Sequence, residues 1–282
     1  MSMVTSEMIK ELREITGVGM SKCKEALVES NGDMQKAIDY LRKIGMASAG
    51  KKEGREAKEG VIAFAETPDV LAIVEANAET DFVAQNERFR IFVNDICEQA
   101  ARTKPSSLEA FTQQIYNKDQ SLTIDQYRNL VIQALGENIV IKRMEIVLKD
   151  KDCSLGIYSH MGGKLVTVVE IKGAKGEEEL AREIAMHVAA ENPEYVNPED
   201  VPLSVKEREE EIARAQIKGK PENVVEKIVL GKVKAYCDQF CLTCQKFIKD
   251  PNSTVGQFVE KRAKHIGKPL AIRRFWRWRI GQ

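Results

Sequence analysis

Aromatic side chains are scarce in this chain, at 6% of 282 residues, so its core must rest mainly on aliphatic groups. Net charge is absent: 43 Lys and Arg balance 43 Asp and Glu, which excludes a whole-molecule basic field and argues against a nucleic-acid partner. No window holds 18 uninterrupted apolar residues, so no transmembrane helix and no membrane partner are expected. The opening Met-Ser-Met-Val-Thr-Ser-Glu lacks a basic stretch followed by an apolar run, and a cytoplasmic location is expected. The six cysteines (Cys23, Cys97, Cys153, Cys237, Cys241, Cys244) do not form a disulfide framework in a chain of this size, so reduced thiols are expected. His160, His187 and His265 are the only histidines. No H-E-x-x-H, nucleophile elbow, paired-carboxylate spacing or G-x-x-x-x-G-K-[ST] is present. Accordingly no enzyme activity, catalytic residue, cofactor, metal site or direct nucleotide binding is expected.

What is present is helix-rich and divided. The length suits two domains. Residues 1–45 read as three short helices. Thr5 or Ser6 opens the first, with Met8, Leu12 and Ile15 inward. Gly17-Val18-Gly19 breaks it. Ser21 can cap the second, with Cys23, Ala26 and Leu27 inside. Asn31-Gly32-Asp33 turns into the third, lined by Ala37, Ile38 and Leu41, with Gly45 as its terminator. Residues 46–59 have almost no large apolar groups and alternate in charge, as a linker does.

The remainder repeats itself. Thr123-Ile-Asp-Gln-Tyr, Leu135-Gly136 and Ile139-Val-Ile141-Lys-Arg143 align without gaps with Thr254-Val-Gly-Gln-Phe, Ile266-Gly267 and Leu270-Ala-Ile272-Arg-Arg274, 131 positions later. Each is a capped helix, a Gly terminator and an apolar strand. Gly60-Val-Ile with Leu71-Ala-Ile-Val-Glu75 matches Gly156-Ile-Tyr with Leu165-Val-Thr-Val-Val-Glu170, about 95 positions later. Two halves follow, 60–150 and 151–282, each ordered strand–strand–helix–helix–strand. A hairpin first, without strict alternation, predicts an α+β fold with antiparallel sheets.

The unequal offsets place an insertion of about 36 residues in the second half. Ser204–Lys218 is highly charged, Gly219-Lys220-Pro221 turns, and Glu222–Cys244 continues as a longer helix. The expected feature is a helical-hairpin arm at about 204–244, too polar for a core. Within it, Cys237-x3-Cys241-x2-Cys244 has the spacing of an iron–sulfur ligand set. On one continuous helix the three sulfurs would spread over about 10 Å, too wide for a single cluster, and a buried thiol stripe is expected instead. The run Arg273-Arg274-Phe275-Trp276-Arg277-Trp278-Arg279 could stack bases, but it reads more simply as a final strand with arginines pointing outward.

The most informative stretch is Thr80-Asp81-Phe82-Val83-Ala84, between an apolar strand (Val70 to Asn77) and a helix with Phe82, Phe89, Val93, Ile96 and Ala100 at helical spacing. Periodicity alone makes Thr80 or Asp81 an N-cap and turns Phe82 inward. Several ordered motifs change that reading: Leu12-Arg13-x-x-Thr16-Gly17-x-Gly19-Met20-x-x-Cys23-Lys24, Thr80-Asp81-Phe82-Val83-Ala84, Gly136-Glu137-Asn138, Tyr158-x-His160, Met186-His187-Val188-Ala189-Ala190 and Gly219-Lys220-Pro221-Glu222. Together they resemble the translation elongation factor Ts family over nearly the whole chain. Gln245-Lys246-Phe247, where the family commonly has Gln-Pro-Phe, is a departure.

The resemblance implies a UBA-like N-terminal bundle, a duplicated core and a helical arm. It implies guanine nucleotide exchange on the GTPase elongation factor Tu: binding of the GDP form, dislodgement of the partner's Mg²⁺ and release of GDP in the elongation step of protein synthesis. By the same resemblance Thr80, Asp81, Phe82 and Val83 enter the partner near its magnesium site. Leu12, Arg13, Gly19, Met20, Gly136, Glu137, Asn138 and His160 are further expected partner contacts.

Overall fold

The computed structural model describes residues 4–217 and 221–282, so Lys218, Gly219 and Lys220 of the expected arm turn lie outside the described residues. The chain divides into two compact units: one runs through Leu148 and includes Arg279–Gln282, and the other is Lys149–Trp278. The fold is α+β, with N-terminal helices followed by sheets whose hairpins are antiparallel.

The first unit opens with three helices. In α1 (Ser6–Thr16) the Thr5 hydroxyl accepts the Met8 N–H, and α1 ends at Gly17 in the left-handed region (φ 67°). Helix α2 (Met20–Glu29) follows, then α3 (Met34–Gly50), whose first turn is capped by Asp33. Leu12, Val18, Cys23, Ala26, Leu27, Ala37 and Leu41 form the bundle's core. Three expectations change. Ser21 does not cap α2, which starts at Met20 after Gly19 and has no side-chain cap, so Ser21 lies within its first turn. Ile15 is exposed, and Val18 in the turn takes the interior place. Gly45 does not stop α3, which runs on to Gly50. Gly45 is instead a point of close approach, because a Cβ there would lie 2.6 Å from Gln133 Oε1.

Strands β1 (Glu59–Glu66) and β2 (Val70–Ala78) form an antiparallel hairpin, and every residue of β2 is buried. A short helix α4 (Asp81–Gln85) and the long α5 (Glu87–Thr103) follow. Helix α6 (Leu108–Thr112), the small hairpin of β3 (Ile115–Tyr116) and β4 (Asp119–Thr123), α7 (Ile124–Leu135) and β5 (Ile139–Leu148) complete the half. The sheet order is β1-β2-β5. Phe89, Phe92 and Phe111 are fully buried in its core, each contributing about 1.5–3 kcal/mol of burial.

The second unit repeats the plan. Strands β6 (Cys153–His160) and β7 (Leu165–Lys172) lead to α8 (Glu178–Glu191). After a 3₁₀ turn at Pro198–Asp200 come α9 (Leu203–Gln216) and α10 (Glu222–Phe240). The hairpin of β8 (Lys246–Phe247) and β9 (Asp250–Thr254), α11 (Val255–Ile266) and β10 (Ala271–Arg279) close it, with sheet order β10-β7-β6.

Equivalent interactions mark the duplication. Thr123 with Gln126 and Thr254 with Gln257 form matching capping boxes. Tyr116 stacks on Tyr127 at 4.3 Å, and Phe247 on Phe258 at 4.4 Å. Buried Glu75 pairs with Arg143, and buried Glu170 with Arg274.

The cysteine and tail readings need correction. Helix α10 ends at Phe240, so only Cys237 is helical; Cys241 is extended (φ −97°, ψ 120°) and bridges to Tyr195. The three thiols therefore do not line one helix face. All six cysteines are free, and the described residues contain no cluster suited to a metal ion. In the tail, Arg273 and Arg274 do not simply face outward: both turn to the buried carboxylate of Glu170. Among the described residues no helix is long and apolar enough to cross a membrane.

Candidate functional site

Strand β2 carries the chain out of the core at Ala78, and the backbone at Thr80 remains extended (φ −124°, ψ 158°). The Thr80 hydroxyl then accepts the Val83 N–H at 3.4 Å and starts α4. Five residues later Asn86 stops that helix and caps the next one, its Oδ1 accepting the Arg88 N–H at 2.9 Å. The continuous helix expected from spacing is thus broken at Asn86. The break rotates Phe82 off the inward stripe. Ala84 is buried and Val83 packs at the core's edge, whereas Asp81 is exposed and Phe82 is 83% exposed. Phe89, Phe92 and Phe111 nearby are fully buried, so Phe82 is an apolar ring left in water at a helix start.

The Gly136–Glu137–Asn138 turn lies behind this helix start. Gly136 ends α7 in the left-handed region (φ 83°). Glu137 accepts the Thr80 N–H at 3.0 Å on Oε2 and the Thr80 hydroxyl at 2.6 Å on Oε1. In return, the Asn138 N–H donates to Glu79 Oε1 at 2.6 Å. Asn138 Nδ2 reaches the carbonyl oxygens of Glu53 and Arg55 at 3.4 and 2.8 Å, and Arg55 Nη1 lies 3.5 Å from Glu79 Oε1. Three segments distant in sequence are therefore stitched together around one short helix. Asn138 is only 1% exposed, so its side chain serves this junction and not the surface.

The bundle residues divide similarly. Arg13, Gly19 and Met20 are exposed, whereas Leu12 is 0% exposed in the bundle's own core and has no surface to offer a partner. The α1–α2 turn meets the first turn of α5, where Arg88 Nη2 donates to the Thr16 carbonyl. His160 belongs to the second unit. It is exposed at the end of β6, with Nδ1 2.9 Å from the Tyr158 hydroxyl. Met161 follows in the left-handed region and is 74% exposed.

Spacing alone misses the origin of the site. Glu75 and Glu170 occupy equivalent strand positions 95 residues apart. Gln99 and His187 occupy equivalent helix positions only 88 apart, since each bonds a glutamine from the same place in its half, Gln114 and Gln245. The first half thus carries seven extra residues between β2 and α5, in the stretch that contains α4. The insertion in the second half becomes 43 residues instead of about 36 for the same reason. Glu79, Arg55 and Arg88 also escape a sequence reading, because their partners are remote in the chain.

A clamped helix entrance with an exposed aromatic ring, set on a duplicated α+β core, is a surface suited to engaging another protein. A family model described as "Elongation factor TS" matches residues 79–282. The elongation factor Ts of Protochlamydia amoebophila (strain UWE25) is 56% identical over 282 residues, covering the whole of both chains. Those of Chlamydia muridarum (strain MoPn / Nigg) and Chlamydia caviae (strain ATCC VR-813 / DSM 19441 / 03DC25 / GPIC) are 45% and 44% identical over 281 residues, again at full coverage. The chain belongs to the elongation factor Ts family, whose members are elongation factors of protein biosynthesis.

Proposed function

We propose that this chain is a guanine nucleotide exchange factor for elongation factor Tu and that it performs no covalent chemistry of its own. The observation that carries the reading is Phe82, 83% exposed at the start of a helix whose other apolar groups pack inward. GDP on such a GTPase is held by backbone N–H groups around its phosphates and by Mg²⁺, which offsets phosphate charge. A protein that binds the nucleotide-free GTPase more tightly than the GDP form must weaken GDP by the same factor. In this reading Phe82 enters the partner as a wedge and Asp81 perturbs polar groups around its Mg²⁺. Arg13, Gly19, Met20 and His160 supply further contacts. Rigidity of the wedge matters, because ordering a loose segment on binding would consume the differential affinity.

The test is release of fluorescent GDP from elongation factor Tu with and without this chain. Marked acceleration is expected, and an unchanged release rate overturns the proposal. A nucleic-acid reading of the Arg- and Trp-containing tail gains no support from the geometry: Arg273 and Arg274 are committed to Glu170, and Trp278 is buried.

A further inference from the structure

We propose that Glu137 and Glu79 are positioning residues that fix the pose of the Thr80–Val83 helix entrance from inside the molecule, Glu137 acting through Thr80 and not by touching a partner. The inference rests on the exchange reading above, and it revises the contact role that resemblance gives Glu137. Both carboxylate oxygens of Glu137 are used on Thr80, one on its N–H and one on its hydroxyl. A hydroxyl that donates its only proton to Glu137 keeps its lone pairs for the Val83 N–H, so one carboxylate sets both the backbone and the cap.

The helix being held is five residues long. A single turn is unfavourable on its own, because it orders several dihedrals for one hydrogen bond. Its shape must therefore come from outside. Glu137 and Glu79 supply that restraint in opposite directions across the two turns, through Thr80 and through the Asn138 N–H.

The second half of the molecule is an internal control. At the positions equivalent to Glu79, Glu137 and Asn138 it has Ala174, Lys268 and Pro269, and it lacks the seven extra residues. Its two turns meet directly: a Cβ on Gly173 would overlap the Pro269 carbonyl oxygen. Within this chain the carboxylates occur where the inserted helix occurs and are missing where it is missing. A general requirement of the fold would have placed them in both halves.

A double-mutant cycle on GDP release from elongation factor Tu distinguishes positioning from contact. Glu137→Ala is expected to slow stimulated release by roughly 10-fold, the effect of losing a charged hydrogen-bond acceptor. In a Phe82→Ala background the same change should cost less than about 2-fold, since a misplaced wedge matters only when the wedge exists. Thr80→Val should reproduce Glu137→Ala, and Thr80→Ser should restore most of the rate. Effects of Glu137→Ala and Phe82→Ala that simply multiply would overturn the proposal.

A second measurement needs no partner. Amide hydrogen exchange at Thr80 and Val83 in the isolated full chain should quicken by about 10-fold in Glu137→Ala. If Glu137→Ala fails to fold, Glu137→Gln, which keeps one acceptor oxygen, is used and should show an intermediate effect. Unchanged protection overturns the positioning role whatever the release assay gives. Quickened exchange in a chain that never accelerates GDP release would sink the exchange reading and leave the clamp standing.

Discussion

The guanidinium of Arg88 lies against Gly17 and donates from Nη2 to the Thr16 carbonyl, which joins the last turn of α1 to the first turn of α5. A cation at the carbonyl end of a helix is favoured by the helix dipole. Gly17 permits the contact in two ways. Its φ of 67° is open to glycine at little cost, and a Cβ there would overlap the Arg88 guanidinium. Gly17→Ala should therefore destabilise the first unit by at least about 1–2 kcal/mol, read as a lower urea midpoint. An unchanged midpoint would show that the contact is dispensable.

Phe82→Ala separates function from folding. The ring is 83% exposed, so its removal should change unfolding free energy by no more than about 0.5 kcal/mol. Stimulated GDP release should fall several-fold. A large loss of stability would instead mean that the ring packs inward, as helical spacing alone suggested.

Burial of Glu75 predicts a different outcome for its partner. Glu75 is 0% exposed and receives Arg143 Nε at 2.7 Å, with Lys142 Nζ at 3.4 Å. Arg143→Met leaves a buried carboxylate short of its main counter-charge and should cost on the order of 3–5 kcal/mol. Adding Glu75→Leu should recover much of that loss, because an apolar pair removes the desolvation penalty. Denaturation of the single and double variants measures both terms, and a double variant no better than the single would refute the account.

His187 predicts a pH dependence of stability. It is buried; Nδ1 accepts the Ile248 N–H at 3.3 Å, so the neutral ring carries its proton on Nε2, 3.0 Å from Gln245 Oε1. Burial is the main cause that holds its pKa below the ordinary 6.5. The unfolded chain then binds more protons than the folded one between that lowered value and 6.5. The contribution of His187 is fully present above pH 6.5 and is lost as pH falls through 6.5 toward the folded value. Unfolding free energy should drop less between pH 7.5 and 5.5 in His187→Gln than in the unchanged chain. Equal slopes would show that His187 is not the group responsible.

Much of the fold is legible in the order of residues. Capping threonines, glycine terminators and the 131-residue repeat depend on neighbours within a few positions, and Thr123, Gly136, Thr254 and Gly267 all act locally as their types dictate. Helical spacing likewise locates α5, because core faces recur every three or four residues, and the repeated cap and terminator locate α7. It fails at Asn86, where a local cap competes with the apolar period and prevails. It fails again at Gly45, whose small size answers to Gln133, remote in the chain.

What the sequence by itself determined is the principal helices and strands of each half, the duplication and the family, but not the separate α4, α6 or the small β3–β4 and β8–β9 hairpins. The first three are written in short-range preference or in ordered motifs. Only the tertiary structure decided that Phe82 faces water, that Leu12 and Asn138 are buried, and that Glu137 closes on Thr80 across 57 positions. Those outcomes depend on contacts between remote segments, whose energies arise only when packing brings the groups within hydrogen-bonding distance.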